Sequence, residues 1–328
     1  MNYLMCSVGR RAELMKDFRL SMKDGSRIIA TENSPYAPAL YFSDKQYLVP
    51  RIDDPSYVDT LLHICREEKI DAVTTFIDPE IMILAANRDR FAAIGVEVLA
   101  PYEETARLCF DKYEMFQYLE QKGIRTPATW GSFDEVKAAL KQGAVSLPVF
   151  VKPRRGSGSV GARKITDLDS LKTAFELDPS LIAQELMTGE GSFDLDADIY
   201  VDTVSHEPVA IFSKRKISTT IGGANKTISF KDEKLFDFVR SALKHFKFNG
   251  PIDADFFYKD GEYYLSEVNP RFGGAYLHAY GAGVDFIRLI ENNLRGYAND
   301  SIIGQYEENV VMMMYDSVVI KRAEELAK

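Results

Sequence analysis

Five short apolar runs, at residues 3–6, 28–31, 47–49, 72–76 and 96–99, recur through the first hundred residues. The stretches between them carry apolar side chains at helical spacing: Val58, Leu61, Leu62 and Cys65 in one, and Ile81, Leu84 and Ala85 in another, with Arg88 the polar member of that second series. Unbroken apolar strands are buried on both faces, so the alternation predicts a parallel sheet covered by helices, a doubly wound α/β domain over residues 1–102. Ligands of such sheets bind beyond the carboxyl ends of the strands. That rule places residues 7–11, 32–34 and 78–80 around one crevice, unless they are merely loops.

The texture changes after Pro101. Asp111-Lys112 opens an amphipathic helix through Met115, Phe116 and Leu119 that stops at Gly123, so the boundary falls near 101–111. Strand-like runs follow at 148–152, 181–184 and 193–201. In the last, Phe193, Leu195, Ala197, Ile199 and Val201 alternate with Asp194, Asp196, Asp198 and Tyr200, which gives one apolar and one acidic face. This half reads as α+β and largely antiparallel, with helices near 233–246 and 285–295 flanking a hairpin. Residues 310–315 read as a buried strand and 317–328 as a short surface helix.

At 328 residues the chain has room for about two domains. Its 40 Lys and Arg against 49 Asp and Glu leave a formal net charge of −9, which excludes a general nucleic-acid surface; any anion must be held by a local cluster. Cys6, Cys65 and Cys109 form no CxxC pair and no disulfide scaffold. The first residues lack a basic n-region, and no apolar run approaches the roughly eighteen residues of a membrane span, so the expectation is a cytoplasmic protein without a membrane partner. His63, His206, His245 and His278 show no H-E-x-x-H spacing, and no G-x-S-x-G elbow occurs. His278 reads as a structural histidine rather than a base.

Two stretches carry chemistry. The first contains Lys152, Arg154, Arg155 and a formal G-x-G-x-x-G over 156–161. A dinucleotide fingerprint needs a helix immediately after the loop, whereas 162–165 reads as another strand, and no Gly-Lys-Ser/Thr follows for a Walker A loop. The loop is therefore a flap between strands. Gly156, Ser157, Gly158 and Gly161 would let backbone N–H groups approach phosphate oxygens, with Lys152 and Arg154 or Arg155 supplying charge; a plain surface hairpin is the alternative.

The second stretch, 253–271, is two apolar-rich strands joined at Asp260-Gly261. Glu267 and Asn269 leave the same face, and hard oxygen ligands placed so suit Mg²⁺. Asp255 is the expected third ligand, but an even-numbered loop would turn it opposite in sense to Glu267. The metal reading therefore requires an odd loop or a bulge, with Gly261 left-handed; the alternative is an acidic solvated face. Lys214-Arg215-Lys216 can neutralise a γ-phosphate or an acidic substrate, or simply edge a strand, and residues 273–278 can shape an acceptor pocket.

Lys112, the Lys152 strand, the flap, Gln184-Glu185-Leu186-Met187 and Glu267-Val268-Asn269-Pro270-Arg271, in that order, resemble an ATP-grasp domain. The N-terminal half with Asp78-Pro79-Glu80 is similar, more narrowly, to one synthetase half of the carbamoyl-phosphate synthase large chain in a short, single-copy form. The resemblance implies a Rossmann-like pre-ATP-grasp domain at 1–102, an ATP-grasp domain at 103–300 with a small antiparallel lid at about 125–187, and a C-terminal strand and helix at 301–328. It implies ATP and one or two Mg²⁺ ions, with Mn²⁺ as a substitute. Lys112 and Lys152 would contact phosphates or the adenine side, the flap would cover the phosphates, and Gln184, Glu185, Leu186 and Met187 would face adenine. Asp255, Glu267 and Asn269 would hold the metal. Arg271, with Lys214 and Arg215, would serve the transferring phosphoryl group. The family's ribose-binding glutamate position falls on Ser192, so Glu190 is nominated instead.

The activity implied is a ligase that phosphorylates a carboxylate or bicarbonate and passes the acyl phosphate to an amine or ammonia. The chain has room for one synthetase half, as a homodimer or redirected to another acid. A non-catalytic ATP-binding subunit of a split synthetase stays open as an alternative. So does a nicotinamide oxidoreductase, although residues 7–11 lack a Gly-rich dinucleotide loop. No H-R-D or D-F-G tripeptide supports a protein kinase.

Overall fold

Residues 1–156, 161–220 and 223–327 are described by the computed structural model. The apolar runs of the first hundred residues form strands β1 (Asn2–Cys6), β2 (Arg27–Glu32), β3 (Lys45–Leu48), β4 (Ala72–Thr75) and β5 (Glu97–Val98), all parallel, in the order β3-β2-β1-β4-β5. Between them lie helices α1 (Ala12–Ser21), α2 (Tyr57–Glu68), α3 (Asp78–Ala86) and α4 (Arg88–Ala92). Alternate residues of β1 explain the unbroken hydrophobicity. Tyr3 and Met5 pack on the side of Leu14, Met15 and Phe18 of α1, whereas Leu4 and Cys6 pack with Leu61, Cys65, Ile81 and Leu84 of α2 and α3. The single helical series expected around Ile81 to Arg88 is broken at Asn87, whose N–H caps α3.

After α5 (Glu103–Phe110), α6 (Lys112–Gln121) begins at Asp111, whose carboxylate accepts the N–H groups of Tyr113 and Glu114. A small antiparallel lid sheet follows, in the order β6-β9-β7-β8: β6 (Thr129–Trp130), β7 (Val149–Pro153), β8 (Arg163–Ile165) and β9 (Leu181–Glu185). Its own core, with Val149, Val151 and Ile165 against Val136 and Leu171, is closed by α7 (Phe133–Gln142) and α8 (Leu168–Leu177).

The large antiparallel sheet has the order β14-β13-β10-β11-β12-β15, from β10 (Phe193–Val201), β11 (Pro208–Thr220), β12 (Gly223–Phe230), β13 (Gly250–Lys259), β14 (Glu262–Asn269) and β15 (Val311–Met313), with α9 (Glu233–Leu243), α10 (Tyr276–Gly281) and α11 (Phe286–Leu294) beside it. One core runs from α1 into this sheet. Phe18 meets Phe272 edge to face at 5.5 Å, and Phe272 meets Tyr276 at 4.9 Å, so the first domain is packed onto the second through aromatic rings. No described helix is long and apolar enough to cross a membrane.

Two C-terminal expectations are corrected. The strand expected to be buried at 310–315 is β15, the outermost strand of its sheet, with Val311 and Met313 exposed because no layer covers that edge. The helix expected at 317–328 is absent from the described residues, which hold only a 3₁₀ turn at Ala323–Glu325; Val318 and Ile320 are β-branched, disfavour helix, and lie exposed.

The far end of β10 is pinned by Asp202. Its fully buried carboxylate accepts from the N–H of Val204 at 2.9 Å and Ser205 at 2.8 Å, the amide of Asn293 at 2.7 Å, and both nitrogens of Asn299 at 2.8 Å. Burial alone would push this carboxyl up, but the donors outweigh it and bring it down to about 2. A depressed carboxyl contributes stability that is complete above its unfolded value near 4 and is lost as pH falls through 4 toward 2. Asp202→Asn should therefore cost about 2 kcal/mol at pH 7 and flatten the acid limb of a stability-versus-pH curve measured by urea unfolding; an unchanged acid limb contradicts this role.

Candidate active site

The hairpin of β13 and β14 resolves the question of parity. Its loop is the two-residue Asp260-Gly261, both left-handed with φ of 52° and 79°, as a type I′ turn requires. An even loop alone would leave Asp255 and Glu267 on opposite faces. The register shifts, however: Phe256 pairs with Leu265 while Asp255 pairs with Glu267, so Ser266 is the extra residue of a bulge. The Leu265 N–H donates to the Arg125 carbonyl at 2.9 Å, which anchors the kinked strand. Asp255, Glu267 and Asn269 consequently share one face. The Asn269 amide donates to Asp255 at 3.4 Å.

That face continues across the sheet. Asp255 pairs with Asp196 and Asp253 with Asp198 across to β10, and Asp196 pairs with Lys214 across to β11. Asp196 and Asp198 of the acidic face of β10 are thus buried beneath the cleft, while Asp194 at the start of the strand is exposed. Lys214 is 0% exposed, bridges Asp196 at 3.2 Å and also binds Asp198. Burial would lower its ammonium, but Asp196 and Asp198 hold it above its usual value. Burial pushes the Asp253 carboxyl up, helped by Asp196 and Asp255. Lys216, two residues along on the same face, pairs with Asp255.

The flap side meets this face through Lys112. Its Nζ lies 3.4 Å from Glu267 and donates to the Gly156 carbonyl at 2.6 Å. Lys152 of β7 joins the same group: burial lowers its ammonium, Glu267 and Asp255 oppose that, and Lys112 and Lys216 add to it. A cleft is lined by Asp78, Cys109, Lys112, Gly156, Glu267 and Asn269, among others. Ser157 and Gly158 lie outside the described residues, and Gly161 is exposed just before β8. Arg154 and Arg155 turn to Asp111, at 2.6 Å and 3.0 Å. Arg155, 62% exposed, is therefore held at the base of the flap.

The remaining sequence nominations divide. Gln184 is buried and donates to Thr129 at 3.0 Å, Glu185 binds Lys259 at 2.7 Å across to the large sheet, and Leu186 and Met187 follow directly at the exit from β9. Glu190 is exposed in the next turn. Arg215 is corrected: alternation along β11 turns it to the opposite face, where it stacks 4.0 Å from the Phe193 ring. Lys214 is a buried counter-ion rather than a group that meets substrate. His278 is structural, its ring nitrogens bonded to Thr227 at 2.7 Å and the Val310 carbonyl at 3.0 Å, and burial lowers it to about 4. Arg271 reaches across to the first domain, donating to Asp78 at 2.9 Å with Asp253 at 3.7 Å.

Residues 109–275 match the family model of the ATP-grasp domain, and residues 3–99 match that of the PylC-like N-terminal domain. The chain is an ATP-grasp protein. It is 24% identical over 215 residues to the D-alanine–D-alanine ligase of Campylobacter lari, covering 60% of each, and 27% identical over 188 residues to the 3-methyl-D-ornithine–L-lysine ligase of Methanosarcina barkeri, covering 57% of this chain and 45% of that one. The match spans less than two thirds of either relative. In fold it is similar to the biotin carboxylase domain of Hydrogenobacter thermophilus 2-oxoglutarate carboxylase (TM-score 0.74, 14% identity, covering 94% of this chain and 73% of that one). It is also similar to L-amino acid ligase from Bacillus licheniformis (TM-score 0.66, 18%, covering 91% and 75%).

The ATP-grasp cleft fits a magnesium ion by its donor set. Among the described residues no cluster of three or more His, Cys, Asp or Glu is set to cage a metal. Two carboxylates and a carboxamide are what Mg²⁺ accepts when phosphate and water complete its shell. The sequence reading missed Asp253 as a member of the site and named Lys216 only as part of the basic run 214–216. The signal was present, since both keep period two with Asp255 and Lys214, but pairing across strands is needed to see it.

Gly273 supplies a test of this packing. A Cβ there would lie 2.7 Å from Asp198 Oδ1 and 2.9 Å from Asp253 Cγ, closer than atoms tolerate. Gly273→Ala should destabilise the ATP-grasp fold by about 1–3 kcal/mol in urea unfolding, and an unaltered midpoint would refute the close approach.

Proposed function

We propose that this ATP-grasp protein is an ATP- and Mg²⁺-dependent ligase that activates a carboxylate as an acyl phosphate for capture by an amine or ammonia. The observation that carries the reading is Lys112, which ties the base of the flap at Gly156 to Glu267 on the metal-facing strand. One basic group thereby links the two segments that must meet around a single nucleoside triphosphate. The ligase names of its relatives, and the MgADP and bicarbonate named with the biotin carboxylase structure, support the same class.

In this reading a carboxylate oxygen attacks the γ-phosphorus. A C–O–P bond forms as the bond to the β–γ bridging oxygen breaks, and ADP leaves. The amine then attacks the acyl carbon and expels phosphate, losing a proton to solvent. Asp255, Glu267 and Asn269 would hold Mg²⁺, which offsets phosphate charge when bound. Lys152 and Lys112 would complement the triphosphate from the lid side, Arg271 would steady the group in transfer, and Glu185 to Met187 would present backbone groups to adenine. The protein's work is positioning and charge complementarity, with no covalent nucleophile.

The finer, carbamoyl-phosphate-synthase-like version takes bicarbonate and ammonia as the substrates, and rests on motif order alone. ADP release screened over a matrix of acids and amines that includes this pair tests both versions. Turnover with an amino acid pair and none with bicarbonate and ammonia rejects the finer one. MgATP binding by titration calorimetry with no ADP release under any pair marks a non-catalytic nucleotide-binding subunit. Glu267→Ala should lower ADP release at least about a hundredfold while the fold persists, and chelation of Mg²⁺ by EDTA should do the same; retained turnover in either removes the metal assignment.

A further inference from the structure

Arg11 is a charged group at the domain junction that the nucleotide site leaves unused. It follows β1, and its loop is fixed from both sides. The Gly9 N–H donates to Glu32 at 2.8 Å, the Gly9 carbonyl accepts from Ala39 at 3.1 Å, and the Arg11 N–H donates to the Val8 carbonyl at 3.0 Å. Backbone geometry therefore aims the side chain across the junction, where its guanidinium donates to the Gly273 carbonyl at 3.2 Å. A guanidinium has five N–H donors, and among the described residues the Gly273 carbonyl is the one acceptor that the Arg11 side chain meets.

The carboxylates nearby are already engaged. Asp78 and Asp253 are taken by Arg271, and Asp198 by Lys214. Arg11 and Arg271 are close enough to repel: burial first, and then Arg271, draw Arg11 down to about 10. Two neighbouring guanidiniums with spare donors, one from each domain, call for an anion between them.

The local charge decides which anion. Asp78, Asp198 and Asp253 already offset Arg11, Arg271 and Lys214, so a multiply charged phosphate would meet far more repulsion than a monoanion. In the ligase reading Lys112, Lys152 and the base of the flap at Gly156 take the triphosphate, which leaves Arg11 for another group. We infer that Arg11 and Arg271 form a carboxylate-binding fork across the two domains, with Arg11 the residue that reads the acid substrate. This rests on the ligase reading, which it narrows to a substrate presenting a free monoanionic carboxylate to the crevice of the first domain.

The test is titration calorimetry of bicarbonate, acetate, D-alanine and L-alanine into the MgADP-loaded protein, with wild type, Arg11→Gln and Arg11→Lys compared. At least one of these probes should bind wild type, Arg11→Gln should weaken that binding about tenfold or more, Arg11→Lys should fall between, and both variants should keep wild-type MgADP affinity. Equal probe binding in Arg11→Gln overturns the proposal, as does the absence of binding by every probe to wild type. Loss of MgADP affinity in both variants also overturns it, by assigning Arg11 to phosphate. Arg11-dependent carboxylate binding without ADP release from MgATP under any amine upholds the fork and overturns the ligase reading, so the two fail separately.

Discussion

Carboxylates laid in rows under a cleft are costly to bury, and the large sheet tolerates them because Lys214 sits fully enclosed between Asp196 and Asp198 while Lys216 caps Asp255. Lys214 and Lys216, on the neighbouring strand, thus offset much of the negative charge of Asp196, Asp198 and Asp255. Removing one partner would leave an unpaired ion in low dielectric, which is why the array acts as a unit. It also fixes the site, since Asp253 and Asp255 are held in the same register that aligns Glu267 and Asn269 above them.

The same economy appears where the domains meet. Arg271, at the end of β14, neutralises Asp253 of its own sheet and Asp78 of the first domain, while Phe272 beside it packs into Phe18 and Tyr276. Polar and apolar halves of one short segment thus bind the two domains together at the mouth of the cleft. On the lid side, Asp111 caps α6 and holds both Arg154 and Arg155, so a single carboxylate sets the start of a helix and the base of the flap. The distances among Lys112, Gly156 and Glu267 follow from these anchors.

Much of this was legible in the residues. The parallel strands emerged from apolar runs because burial on both faces leaves no alternation to hide them, and β10 coincides with its predicted span because strict alternation is a strong signal. The bulge was foreseeable as a requirement, since a two-residue turn and a shared face are incompatible without an extra residue. The errors fall where tertiary context decides. Arg215 sits in a basic run whose neighbours both face the cleft, and only strand pairing reveals that it does not. Residues 310–315 are apolar enough for a core, yet they form an edge that nothing covers.

By itself the sequence determined the two fold classes, the flap, the turn and the order of the motifs, because backbone propensity and side-chain period are local properties. Which charges stand next to one another was decided only in three dimensions. The partners of Lys214, Asp255 and Arg271 come from strands or domains distant along the chain, and their pairing depends on sheet order, on one bulged residue and on the angle at which the first domain packs. Arg11 belongs to that second kind: in the sequence it is half of an Arg-Arg dipeptide, and only its proximity to Gly273 and Arg271, 262 residues away for the former, gives it a role.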